Sequence, residues 1–311
     1  MSNDYRNQSQ YPFGLTGCQF TAIIVGLAII LAIGLVSWGI YRLFIKRTPT
    51  PTETTEKRGG PTRKGVPKSA QEAKALYLAL GNPSNANENT TNNYLMAKPE
   101  YVLSYNCERG IANWVAWQVT ASDLGDVQRK DDFRPDGAIP KGCPRITPTD
   151  YSRSGYDKGH FCPSADRTAD EQTNSATFLM TNMMPQTGDN NRGPWEKMES
   201  YTRELVKKGY DVFIIAGAYG EREKLKGKVT VPTNTWKVVV ITPQGATSPD
   251  DVTKDTHTIA IDIPNTEGIK GDSWRKYRTS IRAIERATGY NLLSNVKQDV
   301  QEAIENSTDN Q

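Results

Sequence analysis

The sequence predicts an α+β fold preceded by one transmembrane helix. Three observations carry this expectation. Stretches of β-branched and aromatic residues alternate at period two, helical stretches fall between them without strict alternation, and a long run near the N-terminus carries no charge at all. A strictly alternating pattern of strands and helices would point to a doubly wound parallel sheet instead.

The uncharged run lies between Arg6 and Arg42 and contains FTAIIVGLAIILAIGL from Phe20 to Leu35. At ~1.5 Å rise per residue it is long enough to cross a bilayer as a helix. Trp38 and Tyr41 stand near its C-terminal end, where interfacial aromatics belong. A cleaved signal would have a shorter apolar core and a small-residue cleavage site, whereas IYRLFIKR follows here. The expected organisation is an N-terminal tail over 1–19, a transmembrane anchor over 20–44, a flexible linker over 45–70 and a folded domain over 71–305. The linker is rich in Pro, Thr, Gly and charge and has too little apolar surface to offset its ordering entropy. Positive charge after the span (Arg42, Lys46, Arg47) exceeds that before it, which favours a cytoplasmic domain. Against that charge pattern, an extracytoplasmic domain on a single-pass membrane protein is the expectation.

Within the domain a short helix is expected over 70–80, stopping at Gly81-Asn82-Pro83. YVLSYN (101–106) and NWVAWQVT (113–120) read as a hairpin around Glu108-Arg109-Gly110. Further strands are expected over 178–184, 211–219, 235–243 and 256–264. A helix follows Pro194 with Trp195, Met198, Thr202 and Leu205 on one stripe, and another covers 274–289 with Gly289 as its stop.

Composition is ordinary for a globular chain, with 23% charged and 36% hydrophobic residues and a net charge of +3 that diagnoses no partner. The four cysteines form no CxxC, which excludes the usual zinc spacings. A Cys107–Cys143 bridge and three buried free thiols at 107, 143 and 162 are both open, the free thiols being preferred. For Cys162 a small buried residue is preferred over a redox-sensitive thiol. Only two histidines occur, His160 and His257, so a group titrating near neutrality has few places to reside. His257, in an alternating stretch without acidic or amide neighbours, reads as structural or surface-exposed.

Three segments concentrate unusual polar residues: 128–136, 154–168 and 181–205. Singly, each has a plain explanation. Asp157-Lys158-Gly159-His160 could be a turn before a core histidine, Asp189-Asn190-Asn191 a helix cap, and Glu199 with Arg203 an exposed i,i+4 pair worth ~0.3–0.5 kcal/mol. Together they contain what phosphodiester hydrolysis needs. His160 can take a proton from water near neutral pH. Asn191, with Glu199 acting through water, could hold a hard divalent cation. Arg129 and Arg203 supply fixed positive charge.

Asp157-Lys158-Gly159-His160 is similar to a DRGH signature, and it is followed by Thr181-Asn182-Met183-Met184-Pro185-Gln186, Asn191, Trp195 and Glu199. With ANWVAW (112–117), the Arg129, Phe133, Arg134, Asp136 set, GKVTVPTNTWKVVV (227–240) and ATGYNLLSNV (287–296), the chain resembles the DNA/RNA non-specific endonuclease family of ββα-metal nucleases over about 78–300. It is most similar to cyanobacterial NucA-like sugar-non-specific nucleases. The resemblance implies a ββα-metal nuclease fold, with a central antiparallel-rich sheet flanked by helices. It implies hydrolysis of single- and double-stranded DNA and RNA without sequence specificity, using Mg²⁺ or Mn²⁺. His160 matches the general base, Asn191 the direct metal ligand, and Glu199 the carboxylate that orients the metal's waters. Arg129 matches the arginine on the transition state and Arg203 one near the scissile phosphate. Asp157 belongs to the motif as a loop-orienting residue. Lys158 stands where the family has arginine, which loses the bidentate fork. The expected partners are nucleic acid, the membrane through 20–44 and a protein inhibitor. A membrane-tethered nucleic-acid-binding protein with a degenerate nuclease site is the alternative.

Overall fold

The computed structural model describes residues 65–310. The expected tail, anchor and most of the linker lie outside the described residues. No helix among the described residues is long and apolar enough to cross a membrane.

Seven strands form the main sheet: Tyr94–Ala97 (β1), Val102–Asn106 (β2), Ile111–Val119 (β3), Tyr210–Tyr219 (β6), Asn234–Pro243 (β9), Thr258–Pro264 (β10) and Arg278–Thr279 (β11), in that spatial order. Every neighbouring pair is antiparallel. β3 is buried along its whole length because both faces of the sheet are covered, and its side chains alternate between two cores. Val115 and Trp117 face one cluster with Ile214, Val239, Ile261 and Met198. Trp114 and Ala116 face the other, with Phe213, Trp236 and Val238. Helices Ala70–Tyr77 (α1) and Ile281–Thr288 (α4) cover that second face, and Gln298–Glu305 (α5) contributes Val300 and Ile304 to it. Full burial of such side chains stabilises by ~1.5–3 kcal/mol each.

The first face carries the remaining elements. A two-stranded ribbon joins Asp157–His160 (β4) to Met183–Gln186 (β5), and helix Glu196–Lys207 (α3) follows. A second small ribbon, Glu223–Leu225 (β7) with Val229–Val231 (β8), completes a third cluster around Ile111, Met183 and Val229. Helix α2, Glu171–Ala176, starts under the side chain of Asp170.

Two expected elements differ from those observed. The strand expected over 178–184 begins only at Met183, because Met180–Asn182 is a tight turn held by the Asn182 side chain. That amide donates to the carbonyls of Cys162 and Thr177 at 2.8 Å each and accepts from the Cys162 N–H at 3.0 Å. The helix expected over 274–289 begins at Ile281. Arg278–Thr279 instead pairs with the open edge of β10, and Ser280 then caps the helix at the Ala283 N–H. Gly289 ends it in the left-handed conformation, as expected.

The preference for free thiols is overturned at two positions. Cys107 and Cys143 form a disulfide, and Cys162 is the free, buried cysteine among the described residues. Residues 36 apart in sequence meet because the segment after Arg134 folds back on the end of β2, a tertiary contact that no spacing rule reveals. His257 precedes β10 and pairs with Asp309 at 2.8 Å, a structural role.

Candidate active site

The β4–β5 ribbon and helix α3 enclose a cleft of about 500 Å³ lined by Arg129, Lys158, His160, Pro163, Asn191, Arg192, Glu196 and Glu199. Lys158 and His160 are two apart in a strand and so share a face. Between β5 and α3 the backbone passes through a turn capped by Thr187 and a wide turn at Asn191–Trp195. Gly193 sits there against the Lys270 backbone, where a Cβ would overlap it. The Trp195 indole then donates to the His160 carbonyl at 3.2 Å, tying the helix entry to the ribbon.

His160 is 7% exposed and packs edge-to-face against Phe178, with ring centroids 5.0 Å apart, and against Phe133 at 5.7 Å. Its Nε2 is sealed from solvent without a hydrogen-bond partner among the described residues, which leaves Nδ1 as the nitrogen toward the cleft. Burial, then the nearby Arg129 and Lys158 charges, pushes its pKa down to about 3, so the ring is neutral at physiological pH. The folded state therefore binds fewer protons here than the unfolded state between pH 6.5 and about 3. Stability rises with pH across this window and falls on acidification, by up to ~1.4 kcal/mol per pH unit from this group. Urea titrations across that range should show the slope, and His160→Gln should remove its share; an unchanged pH dependence would exclude a buried neutral imidazole.

Glu199 is buried and its Oε1 accepts from Lys237 Nζ at 3.2 Å. Burial pushes its pKa up, and Lys237 and Arg203 pull it back. Lys237 reaches this point from β9, on the same face as Val239, and its ammonium lies 4.1 Å from the Trp195 ring centroid and 5.7 Å from that of Trp117. Arg203, one helical turn on, is not an exposed partner of Glu199. Its Nη1 donates to Asp166 at 3.0 Å, and Asp166 also accepts from the Trp117 indole at 3.0 Å. The exposed i,i+4 pair is thus replaced by two half-buried or buried pairs along one face of α3.

Asn191 donates through Nδ2 to Asp157 Oδ2 at 2.9 Å. With one of its two N–H donors engaged there, the amide is oriented and its Oδ1 is left to accept or to ligate. Arg192 Nη1 meets the other carboxylate oxygen of Asp157 at 3.1 Å. Asp157 therefore orients both residues, which gives its place in the motif a physical content. Arg129 is held by Asp131 at 2.7 Å and Ser164 at 3.2 Å, with its guanidinium 4.9 Å from the Phe178 centroid. Lys158 lies 4.7 Å over the Phe133 ring.

No group of three or more His, Cys, Asp or Glu residues that could hold a metal occurs among the described residues. The donor set fits a hard, extensively hydrated ion held by one amide oxygen near a carboxylate, and not a cage of side chains. Of the residues singled out from sequence, Arg129, Lys158, His160, Asn191 and Glu199 line one cleft and Asp157 braces it. Arg203 stands apart from the lining, committed to Asp166 and Ser200. The sequence does not mark Lys237, Asp166, Glu196 or Arg192 as site residues. A lysine inside an otherwise apolar strand is a signal that would have found Lys237. The thiol of Cys162, pushed up by burial, is inert packing, not a redox group.

The family model described as DNA/RNA non-specific endonuclease matches residues 80–299. A "Nuclease" of Nostoc sp. is 51% identical over 239 residues, covering 76% of this chain and 87% of that protein. "Nuclease C1" of Cunninghamella echinulata is 35% identical over 185 residues, covering 54% of this chain and 70% of that protein. Among solved structures, the EndoG/EndoGI complex, which addresses the mechanism of EndoG inhibition, aligns with a TM-score of 0.61 at 25% identity, covering 75% of this chain and 95% of that one.

Proposed function

Because the chain belongs to the DNA/RNA non-specific endonuclease family, we propose that its cleft hydrolyses DNA and RNA by attack of a water molecule activated by His160. The chain is a nuclease, a hydrolase acting on nucleic acid. The observation that carries the mechanism is the meeting of a neutral His160 with Asn191, Glu199, Arg129 and Lys158 in one cleft.

His160 Nδ1 takes the proton from the attacking water, and the Phe133–Phe178 pocket keeps the ring from swinging away. Arg129, fixed by Asp131 and Ser164, places permanent positive charge against the phosphate as negative charge builds on it. Asn191 Oδ1 would hold Mg²⁺ or Mn²⁺, and Glu199 would orient its water shell. Once bound, that cation neutralises charge on the phosphate and the leaving oxygen. Lys237 keeps the Glu199 carboxylate charged and pointed along one direction, and Arg203 does the same for Asp166 behind it.

Each of these groups addresses a phosphate or its charge, and none addresses a base edge. Such a site reads the backbone and tolerates any sequence, in either nucleic acid, single- or double-stranded. Incubating the full-length protein with supercoiled plasmid and with single-stranded RNA, in Mg²⁺ and in EDTA, tests the reading. Cutting of both substrates in Mg²⁺ and of neither in EDTA is expected. Cutting that survives EDTA would remove the cation from the mechanism.

Lys158 supplies charge without the planar fork of arginine. Lys158→Arg should raise kcat/KM several-fold in the same assay; an equal or lower rate would show that the lysine is no handicap.

The domain is placed outside the cytoplasm, tethered to the membrane through residues 20–44. The Cys107–Cys143 bridge supports this side, since disulfides persist in oxidising compartments, against the cationic flank of the span. Protease added to intact cells should then degrade the domain. A domain protected until the cells are lysed would reverse the orientation. A protein inhibitor is a further proposed partner, on the likeness to the EndoG/EndoGI complex.

A further inference from the structure

Arg192 follows Asn191 in the chain and lines the same cleft as Lys158 and His160. Its side chain is 62% exposed, and two features describe its position. Nη1 lies 3.1 Å and 3.0 Å from the two oxygens of Asp157. Nη2 lies over Gly188, where a Cβ would overlap it, so the guanidinium rests in a notch that only glycine leaves open. An exposed ion pair alone is worth ~0–1 kcal/mol and would fix a flexible arginine poorly. The absence of a Cβ at Gly188 leaves the guanidinium room to lie back against the turn beside Asp157. Among the described residues only the Nη1 donors of its five N–H groups are engaged, and those on Nε and Nη2 are uncommitted.

We propose that Arg192 is a further substrate-binding residue, clamping a nucleic-acid phosphate next to the scissile one with the planar fork that Lys158 lacks. The proposal rests on the nuclease reading above. A guanidinium offers parallel N–H bonds to two phosphate oxygens, whereas an ammonium acts as a point charge. Asp157 then serves two residues at once, since one oxygen orients Asn191 and the other keeps Arg192 at the cleft. The motif position occupied by Lys158 and the turn residue Arg192 divide the work, charge from the first and geometry from the second.

The test uses the full-length chain carrying His160→Ala to prevent turnover, with binding to a labelled DNA duplex measured over a range of salt concentrations. The slope of log K against log salt counts phosphate contacts, at about 0.9 per contact on duplex DNA. Adding Arg192→Gln should make the slope shallower by about 0.9, one contact. Gly188→Ala retains every charge but pushes the guanidinium out of its notch, and it should weaken binding in the same direction. In the otherwise unaltered enzyme, the Arg192→Gln loss should fall on KM more than on kcat. An arginine that served only to hold Asp157 would leave the slope at its parental value and lower kcat instead, which overturns the proposal. Failure of the nuclease reading is separately visible: a parent protein that leaves plasmid intact in Mg²⁺ sinks that reading, while the slope still judges Arg192.

Discussion

Replacing His160 with alanine is expected to lower the rate of plasmid nicking by about 10²–10⁴-fold, the range a positioned acid–base group contributes. Only one other histidine exists in the chain, and His257 is engaged with Asp309. No second imidazole can take over. The neutral state of His160 is set by its burial and by the Arg129 and Lys158 charges, so at neutral pH the ring is held in the unprotonated form that a base requires. Binding of nucleic acid should change little, because Arg129, Lys158 and Arg192 remain. Two controls separate a missing base from a damaged fold: thermal unfolding of the variant, and partial recovery of cleavage when free imidazole is supplied in the buffer. Full-speed degradation by a folded His160→Ala protein would falsify the assignment of the base.

The second large effect concerns Lys237. It is 1% exposed and faces Glu199 across 3.2 Å, with Trp195 and Trp117 closing off water. Lys237→Met keeps the approximate volume of the side chain but strands a buried carboxylate. Breaking a buried pair from one side costs about 3–5 kcal/mol. The expected result is a loss of that order in urea unfolding at neutral pH, together with severe loss of cleavage. Adding Glu199→Gln to Lys237→Met removes the stranded charge and should recover much of the stability. Cleavage should not return, because the carboxylate proposed to orient the cation's waters is then absent. If the double variant cut at the wild-type rate, Glu199 would have no part in the reaction. If Lys237→Met alone were as stable as the parent, Lys237 and Glu199 would not form a buried ion pair.

These two residues also show what the sequence discloses and what it withholds. His160, Asn191 and Glu199 stand in segments that have plain explanations singly and gain their meaning together and from the family resemblance, and the ribbon-and-helix frame places all three on one cleft. The strands at 102–106, 111–119, 210–219, 234–243 and 258–264 are legible from period-two patterning and β-branched residues, since each buries side chains on alternating faces. The short strands at 94–97, 157–160, 223–225 and 229–231 escape that pattern. They are too short to show a period, and their pairing comes from neighbours that other parts of the chain bring to them. Local rules also overextended the helix expected from Trp274, because a vacant strand edge outcompeted helix propensity until Ser280 could cap.

By itself, then, the sequence determined the strand alternation and the polar segments, which depend on residue type and on neighbours a few positions away. The imidazole and amide on which the proposed chemistry turns were marked by the family resemblance. Tertiary structure alone decided that Glu199 would face Lys237 and not Arg203, that Cys107 would join Cys143, and that Arg192 would lie on Gly188 beside Asp157. Apart from Arg192 and Gly188, these partners are 35 to 38 residues apart. The Lys237–Glu199 pair in particular draws its energy from burial and a low local dielectric, which exist only once the sheet and its covering layer have closed around it.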